Sequence, residues 1–132
     1  MSNLPTIQSV YEAFGRGDVP AILETLDDDV SWEHDTVDHG IPWFKPGRGK
    51  DHVGSFFQSL AALDITNFEV RNLFESGDQV MALVWFEGTV KDTGKGVKMQ
   101  EAHLWSFNDT GKVATFAHIA DTHQFVTALQ GA

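Results

Sequence analysis

A β-hairpin predicted near the end of the chain carries two polar side chains that could do acid–base chemistry. The turn Asn108-Asp109-Thr110-Gly111 separates two runs of strand-like residues. Because side chains alternate along a strand, His103 shares a face with Trp105, and Asp121 shares a face with Ile119. A carboxylate among inward-facing apolar residues is costly unless it is paired or functional. We therefore expect His103 and Asp121 to meet on the inner face of the hairpin.

Structural interpretations of these residues stay open. His103 could be a core histidine with a satisfied hydrogen bond, and Asp121 could bond a backbone amide at the end of its strand. Glu101 has the same parity as His103, but an exposed position at the strand end is expected for it.

Three helices are predicted in the first half of the chain. Apolar residues recur at helical spacing in residues 6–14, 19–26 and 51–63. Asp18 precedes the second of these segments and is its predicted N-cap. The acidic run Asp27-Asp28-Asp29 is expected to end that helix as a solvated turn.

Strands are predicted at residues 30–34, 68–74 and 80–90, in addition to the hairpin. The irregular segment 35–50 between the first strand and the third helix is long for a connection, which favours a functional lid. Its Trp43 and Phe44 could cover a pocket or could equally plug the end of the core.

The strand at residues 80–86 is apolar on both faces, so both faces must be covered. Helices can cover one face, and a second subunit would be needed for the other. We therefore expect a homodimer formed through the sheet. The pattern of helices followed by a strand meander predicts an α+β architecture, and residues 1–132 are expected to form a single domain.

Composition limits the partners. The 132 residues carry a net charge of -10, which argues against binding to nucleic acid or to an anionic membrane surface. The chain has no cysteine, no apolar run of the roughly 20 residues that would cross a bilayer, and no signal-peptide pattern at Met1. These features predict a cytoplasmic protein.

Several segments occur in an order and spacing typical of one superfamily. They are Val10-Tyr11-Glu12-Ala13-Phe14 with Gly17-Asp18, Leu26-Asp27-Asp28-Asp29-Val30-Ser31-Trp32, Ala102-His103-Leu104-Trp105-Ser106-Phe107, Gly111-Lys112-Val113 and Asp121-Thr122. In these segments the chain resembles the NTF2-like superfamily, in the branch of ketosteroid isomerases and SnoaL-like polyketide cyclases. The resemblance implies a cone of curved, mainly antiparallel sheet packed against three N-terminal helices, an enclosed pocket and usually a dimer.

The residues at family positions depart from those of a ketosteroid isomerase. The resemblance places His34 at the position of the catalytic base, His103 at that of the oxyanion-hole acid and Val10 at that of the helix tyrosine, and it leaves Tyr11 one position away, facing elsewhere. These replacements argue against true ketosteroid isomerase activity. The Arg and Asp of epoxide-hydrolase relatives are replaced by Glu101 and His103. SnoaL-like cyclases are similar in carrying a histidine and a late aspartate, here His103 and Asp121.

The resemblance implies acid–base chemistry of an isomerase, cyclase or lyase type on a hydrophobic carbonyl compound. The candidate catalytic residues are Asp121 as base or proton relay, His103 as its partner or as an oxyanion donor, and His34 as a second donor. The candidate substrate-binding residues are Trp32, Trp43, Phe44, Trp105, Tyr11 and Phe57. His34 and Tyr11 also have structural interpretations, since Tyr11 lies in an apolar helix stripe.

No cofactor is expected, and no metal, because the histidine pairs five residues apart lack the spacing of a metal site. Two alternatives to an enzyme stay open. One is a binding module for a hydrophobic small molecule with no chemistry, and the other is a dimeric interaction domain with an incidental pocket.

Overall fold

The computed structural model describes residues 2–130, which form four α-helices and one sheet of six strands. The helices are α1 (Leu4–Arg16), α2 (Val19–Glu24), α3 (Lys50–Ser59) and α4 (Thr122–Leu129). The strands are β1 (Leu26–Trp32), β2 (Gly47–Arg48), β3 (Leu63–Ser76), β4 (Gln79–Val90), β5 (Lys95–Phe107) and β6 (Val113–Ile119). Short 3-10 helices span Pro42–Phe44 and Leu60–Ala62.

The sheet has the order β2-β1-β6-β5-β4-β3. β1 and β6 pair in parallel, and every other pair of neighbouring strands is antiparallel. The predicted α+β class and the meander of β3 to β6 are therefore confirmed.

Local sequence explains where the first helices begin and end. Pro5 lies in the first turn of α1, and Gly17 ends the helix in the left-handed conformation, with a φ of 72°. The side chain of Asp18 accepts a hydrogen bond from the backbone N–H of Ala21 at 3.2 Å. The predicted N-cap of α2 is therefore confirmed.

Three predictions about local structure are wrong. The acidic run Asp27 to Asp29 lies inside β1 and is not a turn, because α2 already ends at Glu24. β1 ends at Trp32, two residues before the predicted end of that strand. The chain after α3 was expected to contain strands only, but it ends in α4, whose buried residues are Phe125 and Ala128.

The helices cover one face of the sheet, which we call the inner face. Ile7 and Val10 of α1 and Val53 of α3 pack in one core cluster with inner-face residues such as Trp105 and Phe116. A second cluster joins the 35–50 segment and α4 to the other end of β4 and β5. Its buried members are Ile41, Trp43, Leu63, Phe86, Val90, Val97, Met99, Phe125 and Ala128.

A β-bulge in β6 decides which of its side chains point inward. Ser106 of β5 lies opposite Thr115, but its neighbour Phe107 lies opposite Val113, so Ala114 is an extra residue on β6. The extra residue reverses the alternation that begins at Val113. Phe116 and His118 therefore point inward, where strict alternation had placed Ile119 and Asp121.

The opposite, outer face of the sheet carries apolar side chains that none of the helices in residues 2–130 covers. Phe74 and Ile119 are 47% and 54% exposed. Between them lie Met81 and Leu83 of β4, which pair with Leu104 and Ala102 of β5.

Among the described residues, no helix is long and apolar enough to cross a membrane.

Candidate functional site

A cavity lies between the inner face of the sheet and the helices, and most of its wall is aromatic. Its volume is about 70 Å³, below the roughly 300–1,000 Å³ usual for small-molecule sites. The lining residues are Val10, Tyr11, Phe14, Ile22, Trp32, Trp43, Phe44, Phe56, Phe57, Leu60, Leu63, Ile65, Phe68, Phe86, Glu101, His103, Trp105, Phe116, His118 and Phe125. Few polar groups lie at this wall.

His103 lies at the centre of a buried hydrogen-bond chain. Nε1 of Trp105 donates to the Tyr11 hydroxyl at 3.1 Å, and that hydroxyl lies 2.6 Å from Nδ1 of His103. Nε2 of His103 lies 3.1 Å from Oε1 of Glu101. Because a carboxylate only accepts, Nε2 of a neutral His103 carries the proton and Nδ1 accepts from Tyr11. Every member of this chain is thus satisfied.

His118 is held by a second buried carboxylate, that of Glu33. Oε1 of Glu33 accepts from the backbone N–H of His118 at 2.9 Å, and Oε2 lies 2.5 Å from Nδ1 of the ring. This contact puts the His118 proton on Nδ1. Within the described residues Nε2 has no hydrogen-bond partner, so in the neutral ring its lone pair is free.

Backbone geometry turns Glu33 toward His118. Glu33 has a φ of 55°, in the left-handed region that residues other than glycine rarely adopt. This turn ends the alternation of β1, so Glu33 points inward and is 2% exposed, while His34 points outward. Strained backbone of this kind is common at functional sites.

The two Glu–His pairs lie side by side. His103 and His118 are opposite each other in the β5–β6 register, and their ring centroids are 4.7 Å apart. Each of Glu101, His103 and His118 offers one potential metal-ligand atom, and these three atoms lie within 4.8 Å of one another. Among the described residues, these three could hold a metal ion.

Burial determines the charge state of the His103 chain. Burial lowers the pKa of His103, more than the hydrogen bond to Glu101 raises it. Burial alone would raise the pKa of Glu101, but the hydrogen bond from His103 and the nearby imidazoles outweigh it and bring the pKa below its ordinary value. Burial also raises the pKa of Tyr11. At neutral pH the hydrogen-bond chain therefore consists of the neutral phenol of Tyr11, the neutral imidazole of His103 and the carboxylate of Glu101.

The predicted meeting of His103 with Asp121 and His34 is wrong. Asp121 lies after the end of β6, is exposed, and accepts a hydrogen bond from Nε2 of Gln124 at 2.9 Å. His34 is exposed, with Nε2 3.4 Å from Asp35. Neither residue lines the cavity. His103 alone, of the three catalytic candidates, lies there.

The six predicted substrate-binding residues all line the cavity. They are Trp32, Trp43, Phe44, Trp105, Tyr11 and Phe57. Trp43 is 1% exposed and packs edge-on against Phe125, so it plugs the core, and Phe44 packs on the ring of His118. Tyr11 does not face elsewhere, because its hydroxyl reaches His103. Their contact with a substrate stays a prediction.

Sequence reasoning missed three residues of this site. Glu101 is 3% exposed, contrary to the expected exposed strand end, although its shared parity with His103 indicated the inner face. His118 was placed on the wrong face because the bulge at Ala114 has no clear sequence signal. Glu33 was missed because its position depends on a positive φ. The metal-capable cluster was missed because its third member is on a neighbouring strand.

Comparison with known proteins agrees with this fold. A family model described as SnoaL-like domain matches residues 7–116. An NTF2-like protein of unknown function from Burkholderia pseudomallei is 27% identical with a TM-score of 0.83, over 99% of this chain and 100% of the other. An NTF2-like protein from Burkholderia thailandensis is 26% identical with a TM-score of 0.84, over 98% of each chain.

A more distant structure shares the fold alone. It is a protein from Jannaschia whose name as a SnoaL-like polyketide cyclase is provisional, 18% identical with a TM-score of 0.76, over 96% of this chain and 90% of the other. No curated protein sequence matches this chain. The family-model match covers most of the chain and agrees with the resemblance noted from the sequence. The chain therefore belongs to the SnoaL-like domain family, within the NTF2-like fold.

Proposed function

We propose that the protein is an acid–base enzyme that removes a proton next to the carbonyl group of a hydrophobic compound, in a reaction of the isomerase, cyclase or lyase type. The observation that carries this proposal is the free Nε2 of His118 at an apolar cavity, with Nδ1 fixed by Glu33. A histidine oriented by a buried carboxylate is a common arrangement for a general base. The proposal replaces Asp121 and His34 by His118 and Glu33 and retains His103.

In this mechanism Nε2 of His118 takes the α-proton of the substrate. The imidazolium that forms is stabilised by the Glu33 carboxylate at Nδ1, and the electron pair left on carbon moves to the carbonyl oxygen as an enolate. Returning the proton to a different carbon gives an isomerase, and attack of the enolate carbon on a second carbonyl gives a cyclase. Glu33 acts through His118 and is a positioning residue.

The enolate oxygen needs a hydrogen-bond donor. Nε2–H of His103 is the candidate, since the Tyr11 hydroxyl at Nδ1 holds His103 in the tautomer that puts its proton on Nε2. Without substrate this N–H donates to Glu101. A preorganised donor in a site lined by apolar side chains is worth more than the same donor in water.

The cavity also bears on the class of substrate. None of the described residues that line it is a lysine or an arginine, and two acidic side chains are buried at the His103 and His118 rings. An anionic substrate would be repelled there, so a neutral aromatic or terpenoid-like ketone fits best. Because the cavity is small, half-buried side chains such as Phe44 and Phe57 must move to admit it.

We also propose that the protein is a homodimer whose subunits meet through the outer face of the sheet. The support is the apolar strip that includes Phe74, Met81, Leu83, Leu104 and Ile119, which none of the described helices covers. Contiguous exposed apolar patches on soluble proteins commonly mark interaction sites.

The test is deuterium exchange at the α-carbon of 2-tetralone, a neutral aromatic ketone, followed by proton NMR in D2O with the metal-free protein. His118→Asn keeps a donor for Glu33 at the position of Nδ1 and removes the base at Nε2. We expect it to lower protein-catalysed exchange by roughly 10²-fold or more. His34→Ala and Asp121→Asn are the matched controls and should leave the rate unchanged.

Equal exchange rates for the wild type and His118→Asn would refute the mechanism. Binding of 2-tetralone with no exchange in the wild type would instead support the binding-module alternative, which the mainly apolar wall also fits.

A further inference from the structure

Three side chains at the cavity have the composition and placement of a transition-metal site. Glu101 and His103 are two residues apart on β5 and share its inner face, and His118 lies opposite His103 on β6. The potential metal-ligand atoms of these three side chains lie within 4.8 Å of one another. Two imidazoles and one carboxylate form a donor set that Zn²⁺ and Fe²⁺ use in proteins.

Second contacts fix the orientation of both imidazole rings. Ligand histidines usually hold their other ring nitrogen in a hydrogen bond to a carboxylate or another oxygen. Nδ1 of His118 contacts Glu33, and Nδ1 of His103 contacts the Tyr11 hydroxyl. Nε2 of His118 is therefore left for a metal, whereas Nε2 of His103 points at Glu101 and binds a metal only when the metal replaces that hydrogen bond.

Charge at the cavity provides an independent argument for a cation. Glu33 and Glu101 are 2% and 3% exposed, and no lysine or arginine is among the described lining residues. Two acidic side chains thus lie buried with histidine rings as their side-chain partners, and buried carboxylates are costly in an apolar interior unless positive charge compensates them. A dication among Glu101, His103 and His118 would balance the charge.

We propose that Glu101, His103 and His118 bind a transition-metal dication of the Zn²⁺ type, with its fourth position open to the cavity. In a four-coordinate site with metal–ligand distances of about 2 Å, the ligand atoms lie about 3.3 Å apart, so the three ligand atoms must approach one another by up to about 1.5 Å. The metal takes the place of the proton on Nε2 of His103. In the metal-bound ring the proton of His103 is on Nδ1, and this N–H donates a hydrogen bond to the Tyr11 oxygen.

The site does not depend on the proposed enzyme activity, because metal binding is measurable without an organic substrate. It has a consequence for that activity. A metal on Nε2 of His118 occupies the lone pair of the proposed base, so the metal-loaded protein would lose the exchange activity and a chelator would restore it.

The experiment is a titration of the tag-free, metal-free chain with Co²⁺, a coloured substitute for Zn²⁺, followed by displacement with Zn²⁺. We expect one equivalent to bind with visible absorption bands of four-coordinate Co²⁺, and Zn²⁺ to remove those bands. His118→Asn and Glu101→Gln should each weaken binding at least about tenfold. His34→Ala should bind as the wild type does. Melting curves show whether each variant is folded.

Equal Co²⁺ affinity in the wild type and in a folded His118→Asn variant would overturn the site, as would the absence of saturable binding. Binding by a protein that shows no ketone exchange in the metal-free state leaves the metal site standing and removes the enzyme proposal. Ketone exchange that depends on His118, in a protein that does not bind Co²⁺, would leave the enzyme proposal standing and remove the metal site.

Discussion

His103 and His118 lie directly opposite each other on β5 and β6, with ring centroids 4.7 Å apart, and each ring is paired with its own buried glutamate. The two rings differ in whether a ring nitrogen is left without a hydrogen-bond partner. His103 has both nitrogens engaged, by Tyr11 and Glu101, whereas His118 keeps Nε2 free within the described residues. The pair thus offers one fixed hydrogen-bond donor and one free base at the same cavity wall.

The first prediction concerns the ionisation of Tyr11, the only tyrosine in the sequence. Burial disfavours the charged phenolate and raises the pKa of Tyr11 above its ordinary value. Absorbance of phenolate near 295 nm should therefore stay absent in the folded protein as the pH rises through about 10 to 11, where an exposed tyrosine titrates. It should appear only when the chain unfolds. Titration with an ordinary midpoint while circular dichroism remains native would show that Tyr11 is not buried against His103.

A second prediction concerns Glu33 as a positioning residue. Glu33→Gln removes the charge that stabilises a protonated His118 and lets the amide donate to Nδ1, which favours the wrong tautomer. We expect kcat for ketone exchange to fall at least about tenfold with KM little changed. Long-range ¹H–¹⁵N NMR should show the His118 proton moving from Nδ1 to Nε2. Glu69→Gln, on the exposed part of β3, is the control. An unchanged kcat and tautomer would contradict the role of Glu33.

Sequence patterns predicted the fold class and the aromatic wall because these depend on hydrophobic periodicity. The alternation of β5 carries that information directly, and it placed His103 and Trp105 on one face. The stripe of α1 placed Tyr11 on an apolar helix face, but the contact of its hydroxyl with His103 was not predicted. The remaining site depends on two irregularities. The extra residue Ala114 reverses the faces of β6, and the positive φ of Glu33 reverses the end of β1. Neither irregularity changes the composition of its strand, so strict alternation selected Asp121 and His34 instead of His118 and Glu33.

The third prediction is a loss of stability in mild acid. The pKa of His103 is lowered from 6.5, so below that pH the unfolded chain takes up a proton that the folded chain resists. The pKa of Glu101 is lowered from 4.5, so its contribution is present above that pH and is lost as the pH falls through the folded value. The unfolding free energy of the metal-free protein should therefore decrease from about pH 6.5 downward.

Urea unfolding at pH 7.5 and pH 5.5 measures this effect. His103→Gln keeps a donor for Glu101 and does not titrate, so its stability should change less between the two pH values than that of the wild type. His123→Gln, at an exposed position in α4, is the matched control and should behave as the wild type. Equal pH dependence in the wild type and His103→Gln would contradict the burial of a neutral His103.

A fourth prediction concerns the proposed dimer. Leu83 lies in the middle of the outer apolar strip, and Leu83→Glu would place a charge in the proposed interface, which is costly when buried. We expect light scattering after size exclusion to give a dimer mass for the wild type and a monomer mass for Leu83→Glu. Val37→Glu alters an apolar residue that is 70% exposed outside the sheet, and it should remain dimeric. A monomeric wild type would refute the interface.

The most direct test of the candidate site is a long-range ¹H–¹⁵N NMR spectrum of the histidine rings, recorded for the metal-free protein with and without 2-tetralone. The proposed site predicts that His118 is protonated on Nδ1 in the free protein, and that the ring nitrogens of His118 and His103 shift on addition of the ketone. The exposed rings of His34 and His123 should not shift. Shifts confined to His34, or no shift in His118 and His103 at saturating ketone, would contradict the site.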